Sequence, residues 1–458
     1  MKLSNQGAML NPAVPADSAG GLPRRELGLS VLLSALFPPI LLLAAWQSKS
    51  FRQRHWLLTL FVGWYAVSIP IAFDITGQGA DGAVHLARVY YLYGDMPFGQ
   101  FFYELGQLLL FRSGQTSHDV FIHVLSYFTG SVVGVPELFF PLVGLFYGYF
   151  FVGSMLIIFR DLGKSKLPWV VIFLILCFFL TRNIESLQAV RNPTAGWMLI
   201  YGVLRYYETR RLRYVFLMAA TPLVHFSFLL LTLPAVLTVL IGDRRLLFAV
   251  VFALSLPMGF VNPDDAIELI SQVEIGEQKV LDRREGGRAT AELRAQVLGE
   301  AMGGGTRLWR AYMVAGYQRY ALDILVFGLM ISGAYFVMDR RSAAVFSTGL
   351  MFLAASNTLW FLGGATGRLW GLGFLLVMAG FLLWRLGPDF SLKRMFSGKL
   401  YVLSCYASAI AFIPYLLFCT SRILEFLNVY LLALPWLARI LPDGNLTFKE
   451  VLRFILPI

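Results

Sequence analysis

Long apolar runs dominate the chain between residues 27 and 419. Residues 167–181 read LPWVVIFLILCFFLT without a charge, and residues 369–384 are apolar between Arg368 and Arg385. Such runs approach the length that a helix needs to cross a hydrocarbon layer about 30 Å thick. In that layer the backbone must form helices or a closed barrel, and barrel strands alternate in polarity as these runs do not. The pattern predicts an all-α, polytopic integral membrane bundle.

Basic residues cluster at the ends of the apolar runs and orient them. Assigning the clusters that begin at Lys49, Arg160, Arg205, Arg244, Arg340 and Arg385 to the cytoplasm follows the positive-inside rule. The net charge of +11 is distributed over these clusters, so we predict no nucleic-acid partner. The predicted crossings, about 10–13 of them, lie near residues 27–46, 56–73, 137–159, 167–181, 193–208, 246–261, 319–338, 343–361, 369–385 and 400–419. Residues 214–241 are expected to leave the cytoplasm and return as two short or tilted helices that meet near His225.

Composition divides the chain into three parts. It is 57% hydrophobic and 14% charged, about half the charge of a soluble domain. Residues 1–26 form a polar N-terminal segment, residues 27–419 the bundle, and residues 420–458 an amphipathic tail. The bundle includes an outer loop at 74–136 and an outer (periplasmic) cap at 262–318. Cys177, Cys405 and Cys419 lie in apolar segments, which indicates packing rather than disulfides or metal ligands.

Most conspicuous polar residues fall on the outer side of this topology. They are Asp74, Asp81, His85, Arg88, Glu104, Arg182, Glu185, Arg191, His225 and Arg368. They come from five separate loops or helix ends, as expected of a site assembled between helices.

Two arginines stand at predicted outer helix starts. Pro193, which suits a first helical turn, follows Arg191, and a glycine-rich turn at 363–367 precedes Arg368. A guanidinium beside the positive end of a helix dipole is a poor cap but a good anion ligand. A single such arginine suits snorkelling to lipid headgroups, whereas the pair favours an anionic ligand.

The other candidates have two interpretations each. His225 suits either a structural hydrogen bond or a proton transfer near neutral pH. Asp81 and Glu104 flank aromatic residues at 89–103 that suit either sugar faces or an interfacial aromatic belt. The sequence shows no zinc-type spacing, no phosphate-binding loop with lysine and no Gly-x-Ser-x-Gly elbow, so we predict neither metal nor cofactor.

The outer residues together resemble a known pattern. An Asp precedes tyrosines (Asp81, Tyr90-Tyr91), and Tyr103-Glu104 precedes an apolar run. Val-Arg191-Asn-Pro opens a helix that ends in a basic turn, His225-Phe-Ser follows, and Gly367-Arg368 closes the set. This order resembles the EpsG-like, Wzy-type membrane polymerases of bacterial exopolysaccharide and O-antigen synthesis.

The resemblance implies a metal-independent glycosyltransferase of the bacterial inner membrane. Such an enzyme joins polyprenyl-diphosphate-linked oligosaccharide repeat units on the outer face. Arg191 and Arg368 would then bind the diphosphate, and His225, Asp81 and Glu104, in that order, are the catalytic candidates. Arg88, Tyr90, Tyr91 and Tyr103 would bind substrate, and membrane lipids and a chain-length regulator protein would be partners.

Two other functions stay open at this point. One is a membrane glycosyltransferase that adds a single sugar from a polyprenyl phosphate, with Asp74 or Asp81 as its acidic residue. The other is a flippase or transporter of lipid-linked oligosaccharides. Transporters generally carry ionisable groups at mid-membrane and are often built from related halves, and this chain shows neither feature.

Overall fold

The protein is helical throughout the residues that its structure describes. The computed structural model describes residues 20–69, 81–110, 119–163, 167–260, 307–359, 364–441 and 446–455. Within these ranges the only extended pairing is an isolated antiparallel bridge between Asn428 and Thr447. Four of the described helices are long and apolar enough to cross a membrane: Pro136–Ile158, Trp169–Ala189, Thr366–Leu386 and Gly398–Thr420. The all-α class is confirmed, and these four helices indicate a membrane protein.

The first half of the chain alternates long and short helices. In chain order they are α1 (Arg24–Leu33), α2 (Ile40–Gln47), α3 (Phe51–Ser68), α4 (Asp81–Arg88), α5 (Phe98–Leu109), α6 (Val120–Tyr127), α7 (Phe139–Ile158), α8 (Trp169–Thr181) and α9 (Arg191–Thr209). Two π-helical turns, Val89–Tyr93 and Phe128–Val132, extend α4 and α6. A 3-10 turn, Ile184–Ala189, leads into α9.

The second half begins with four short helices, and the helices that follow include the two longest of the described chain, Arg307–Ile331 and Gly398–Phe426. In chain order the helices of this half are α10 (Arg213–Ala219), α11 (Thr221–Val224), α12 (Phe228–Leu231), α13 (Leu233–Ile241), α14 (Arg245–Ser255), α15 (Arg307–Ile331), α16 (Ala334–Val337), α17 (Arg340–Thr358), α18 (Gly364–Leu386), α19 (Gly398–Phe426), α20 (Leu437–Ile440) and α21 (Phe448–Ile455).

Most predicted crossings coincide with these helices, and several regions differ. Residues 214–241, predicted as two short or tilted helices, form the four helices α10 to α13, and the crossing predicted at 319–338 is broken at Gly333 between α15 and α16. The crossing predicted at 27–46 is divided into α1 and α2 around Pro38 and Pro39, because proline cannot continue the backbone ladder. Most of the predicted cap at 262–318 lies outside the described residues, and its last part already belongs to α15. The first residues of the predicted tail extend α19 to Phe426.

Close helix contacts hold the centre of the bundle. The pair α17 and α18 packs through glycines: a Cβ added at Gly349 would lie 2.5 Å from the Val377 nitrogen, and one at Gly380 would lie 2.6 Å from the Phe346 nitrogen. Small residues of this kind let membrane helices approach backbone to backbone. Further packing pairs are α3 with α7, α15 with α19, and α8 with α19.

The helix α9 runs through this core and positions the functional residues. Most of its residues are buried, from Pro193 to Leu204. It packs against α7, α10 and α11, and α11 also contacts α6. The start of α9, the end of α11 and the start of α6 therefore meet at one place.

Candidate functional site

Asp119 is the centre of the cluster at this meeting point. Its Oδ2 accepts a hydrogen bond from Arg191 Nη1 at 2.8 Å. Its Oδ1 accepts one from the Phe226 backbone nitrogen at 2.6 Å and lies 3.3 Å from His225 Nδ1. The Asp119 side chain is 1% exposed, and those of Arg191 and His225 are 26% and 11% exposed. A buried carboxylate therefore joins a partly exposed arginine to a largely buried histidine.

Local sequence explains how each side chain reaches this point. Asp119 immediately precedes the apolar helix α6. The helix α11 ends at Val224, and His225 adopts an extended backbone there, with φ of −151°, which leaves the Phe226 N–H outside any helix. The predicted interruption at His225 thus supplies a backbone donor to Asp119 as well as the imidazole.

The residue before Arg191 has an unusual backbone. Val190 is buried and has φ of +42°, a region that β-branched residues rarely adopt. Such a conformation costs roughly 1–3 kcal/mol and persists only where the surroundings enforce it. Here it turns the chain from the 3-10 segment into α9 and places Arg191 at the helix start.

The hydrogen bonds to Asp119 determine its charge and the tautomer of His225. Burial alone raises the pKa of Asp119, but the bonds from His225, the Phe226 amide and Arg191 outweigh it, so the pKa lies below the usual value. The ionised carboxylate can only accept hydrogen bonds. His225 therefore donates from Nδ1, which leaves Nε2 for a second partner.

His85 is a second histidine near this cluster. It is buried on α4, and within the described part of the chain its Nδ1 has no hydrogen-bond partner. Burial, together with the charges of Arg191 and Arg88, lowers its pKa to about 3. His85 is neutral at physiological pH and contributes a polar atom without charge.

Arg368 reaches the same region from α18. Its Nη1 donates a hydrogen bond at 2.9 Å to the Ser227 hydroxyl, two residues after His225. Arg182, at the end of α8, lies close enough to Arg368 for the two charges to repel. The structure therefore brings Arg191, His225 and Arg368 together from separate helices.

Glu104 and the predicted tyrosines bond to other residues or are exposed. Glu104 is buried on α5 and accepts a hydrogen bond from Gln100 Nε2 at 2.9 Å, in a neighbourhood that includes His123. Tyr90 bonds to Glu137, while Tyr91 and Tyr103 are 77% and 67% exposed.

Two further predicted residues, Asp81 and Arg88, belong to α4. Asp81 begins this helix, and its side chain lies outside the described residues. Arg88, in the last turn, is half-buried and contributes charge near His85.

The sequence analysis did not single out Asp119. Asp119 stands 72 residues from Arg191 and 106 from His225, so no local spacing links them. One signal was available, since Asp119 is an acid directly before an apolar run. Ser227 belonged to the quoted pattern, and His85 and Arg182 were predicted on the outer side, but none of the three was given a function.

No grouping of three or more His, Cys, Asp or Glu side chains suited to a metal ion occurs in the part of the chain that the structure describes. The three cysteines are buried, and none of them forms a disulfide within the described ranges.

Comparison with known proteins gives no match for this chain. No protein-family model fits it, and no curated protein and no solved structure is significantly similar to it.

Proposed function

We propose that this protein is a membrane glycosyltransferase that polymerises polyprenyl-diphosphate-linked oligosaccharide repeat units. The proposal places it as a multi-pass protein of a bacterial inner membrane with the cluster on the outer face. One observation carries it: Asp119 joins His225 to Arg191, and Arg368 bonds to Ser227 beside them. A base and two guanidinium groups are the parts that transfer from a diphosphate needs.

The proposed reaction uses His225 as the base. A sugar hydroxyl of the incoming repeat unit attacks the anomeric carbon of the growing glycan, and its proton passes to Nε2. The bond from the anomeric carbon to the diphosphate oxygen breaks, and the polyprenyl diphosphate leaves with the electron pair. The ionised Asp119 is the positioning residue, because it holds Nδ1–H and stabilises the imidazolium that forms.

The arginines stabilise the leaving diphosphate in this proposal. Guanidinium groups bind phosphate oxygens through paired N–H groups and stay charged when partly desolvated. Arg368 supplies a guanidinium group next to Ser227, and Arg191 supplies a second one that is paired with Asp119. The exposed rings of Tyr91 and Tyr103 are assigned to the sugars, and Glu104 and Asp81 stay secondary candidates for the base.

Glycan analysis in the organism that carries the gene tests the proposal. A deletion strain is complemented with wild type, Arg368→Ala, Arg191→Ala or Arg211→Ala, the last being an exposed arginine at the other end of α9. We expect a ladder of repeats from wild type and Arg211→Ala, and single repeat units from the other two variants despite normal membrane levels. Products that grow by one sugar would indicate the single-sugar transferase instead. Normal ladders from both Arg368→Ala and Arg191→Ala would reject the proposal.

A further inference from the structure

Two cavities lie end to end between α8 and α19. These helices run in the same direction, since Trp169 and Leu176 face the same cavity as Tyr406 and Ile413, while Thr181 lies beside Tyr415. The Tyr415 hydroxyl donates to the Thr181 carbonyl at 3.4 Å.

The first cavity is an apolar groove of about 360 Å³. Its walls include Trp169, Phe173 and Leu176 from α8 and Tyr406, Ile410 and Ile413 from α19. Trp169 is 82% exposed and Ile410 66% exposed, so the groove is open along its length. Its shape and lining suit a flexible hydrocarbon chain.

The second cavity, of about 340 Å³, continues the groove and is polar. Arg182, Glu185, Asn183, Gln188 and Asn192 line it, together with Tyr415. Asn192 belongs to the first turn of α9, where helix N–H groups favour an anion. The Gln188 Nε2 atom is buried and has no hydrogen-bond partner among the described residues.

Arg182 is the cation of this cavity. Within the described ranges it forms neither a hydrogen bond nor an ion pair, and the Arg368 charge repels it. Gly371 on α18 makes room for it, because a Cβ there would lie 2.6 Å from Arg182 Nη2. Two neighbouring guanidinium groups gain most from an anion bound between them.

We infer that the groove and the polar cavity form one binding site for an isoprenoid diphosphate, with its hydrocarbon chain between α8 and α19 and its diphosphate at Arg182. The inference rests on the proposed function for the identity of the ligand. It adds Arg182 to the diphosphate ligands and assigns the path by which the lipid reaches Arg368.

Binding of farnesyl diphosphate to the purified full chain, in nanodiscs of phosphatidylcholine, tests the site. We expect Arg182→Gln to weaken binding at least tenfold and Gly371→Ala to weaken it in the same direction by displacing the guanidinium. Ile410→Trp, which fills the groove, should weaken binding of both farnesyl diphosphate and farnesol. Arg211→Gln and Leu254→Trp, an exposed apolar position on α14, are the matched controls and should bind as wild type. Thermal unfolding checks that each variant is folded.

Three results would overturn the inference. One is equal affinity of folded Arg182→Gln and wild type for farnesyl diphosphate. Another is an Ile410→Trp variant that binds as wild type. The third is full competition by phosphatidylglycerol in the nanodisc, which would make a bulk phospholipid the occupant. The glycan ladder is measured separately. A protein that forms polymer but does not bind farnesyl diphosphate would reject only the groove as the lipid site. A protein that binds farnesyl diphosphate but forms no polymer would reject only the polymerase function.

Discussion

The two ends of α9 carry similar ionic groups in different arrangements. At the Arg191 end, the carboxylate of Asp119 contacts an arginine, a histidine and a backbone N–H. At the other end, Glu208 lies 2.5 Å from Arg160, 2.6 Å from Arg205 and 3.7 Å from Arg341. Each end thus has one carboxylate surrounded by several donors, most of them from other parts of the chain.

The difference lies in what the donors can do. The partners of Glu208 are guanidinium groups, which keep their charge at all accessible pH values. Their ion pairs hold the end of α9 against α17 and against the residues just after α7. The partners of Asp119 include an imidazole, whose second nitrogen can accept as well as donate a hydrogen bond, and a backbone N–H. A polar cavity also opens beside that end of α9, at Asn192. Charge alone does not distinguish a structural network from a candidate active site, whereas a histidine in the network and a cavity near it favour the second.

Removing the acceptor at the histidine end should have the largest effect. In Asp119→Asn one carboxylate oxygen becomes an NH₂ donor that faces Arg191 or the Phe226 amide. Breaking a buried pair in this way costs about 3–5 kcal/mol, and we expect both a lower melting temperature and no detectable polymer. Asp389→Asn, at an exposed position, is the control for loss of a carboxylate. An Asp119→Asn variant with normal polymer would separate this cluster from the function.

Replacing the imidazole tests the proton transfer alone. His225→Gln keeps a polar side chain of similar reach, so the fold should persist while the transfer rate falls about 10²–10⁴-fold. His55→Gln, which removes a buried histidine bonded to the Tyr149 carbonyl at 2.7 Å, is the matched control. Equal rates for the two variants would eliminate His225 as the base.

Removing the carboxylate of Glu208 should lower the stability of the protein without changing the rate of glycan transfer. Glu208→Gln leaves Arg160 and Arg205 without their carboxylate, and because these side chains are partly exposed we expect a cost of about 1–3 kcal/mol. Thermal unfolding and the polymer assay on the same preparation measure both effects. Loss of polymer at unchanged stability would show that the Glu208 end contributes to transfer and not only to stability.

His85 should make stability depend on pH at the Arg191 end. Burial and the nearby arginines lower its pKa from 6.5 to about 3, so below pH 6.5 the unfolded chain binds a proton that the folded chain does not. The free energy of unfolding therefore falls as the pH drops from 6.5 towards 3. Melting temperatures at about pH 7.5 and about pH 5 should differ more for wild type than for His85→Gln. The same difference in both proteins would assign the pH effect to other groups.

Much of the fold could be predicted because it depends on local pattern. The apolar runs at 137–159 and 343–361 correspond to α7 and α17, and the break at His225 is present. The first predicted crossing is divided at Pro38 and Pro39, two residues whose effect on a helix is also local, although the apolar pattern alone did not predict the division.

The site was predictable only in part. Arg191, His225 and Arg368 stood out because arginine and histidine are rare in apolar surroundings. Asp119 did not, because an acid in a polar loop is ordinary until its partners are known. Its importance comes from contacts with Arg191 and Phe226, which the packing of α6, α9 and α11 creates.

The sequence by itself determined the all-helical class and the positions of most helices, since hydrophobic length and proline act over a few neighbouring residues. Only the tertiary structure decided which charges meet. Pairing Asp119 with Arg191 and His225, and leaving Arg182 uncompensated beside a cavity, depends on how distant helices pack. Hydrogen bonds require donor and acceptor atoms in contact, and Coulombic energies decrease with distance, so both follow separation in space rather than separation along the chain.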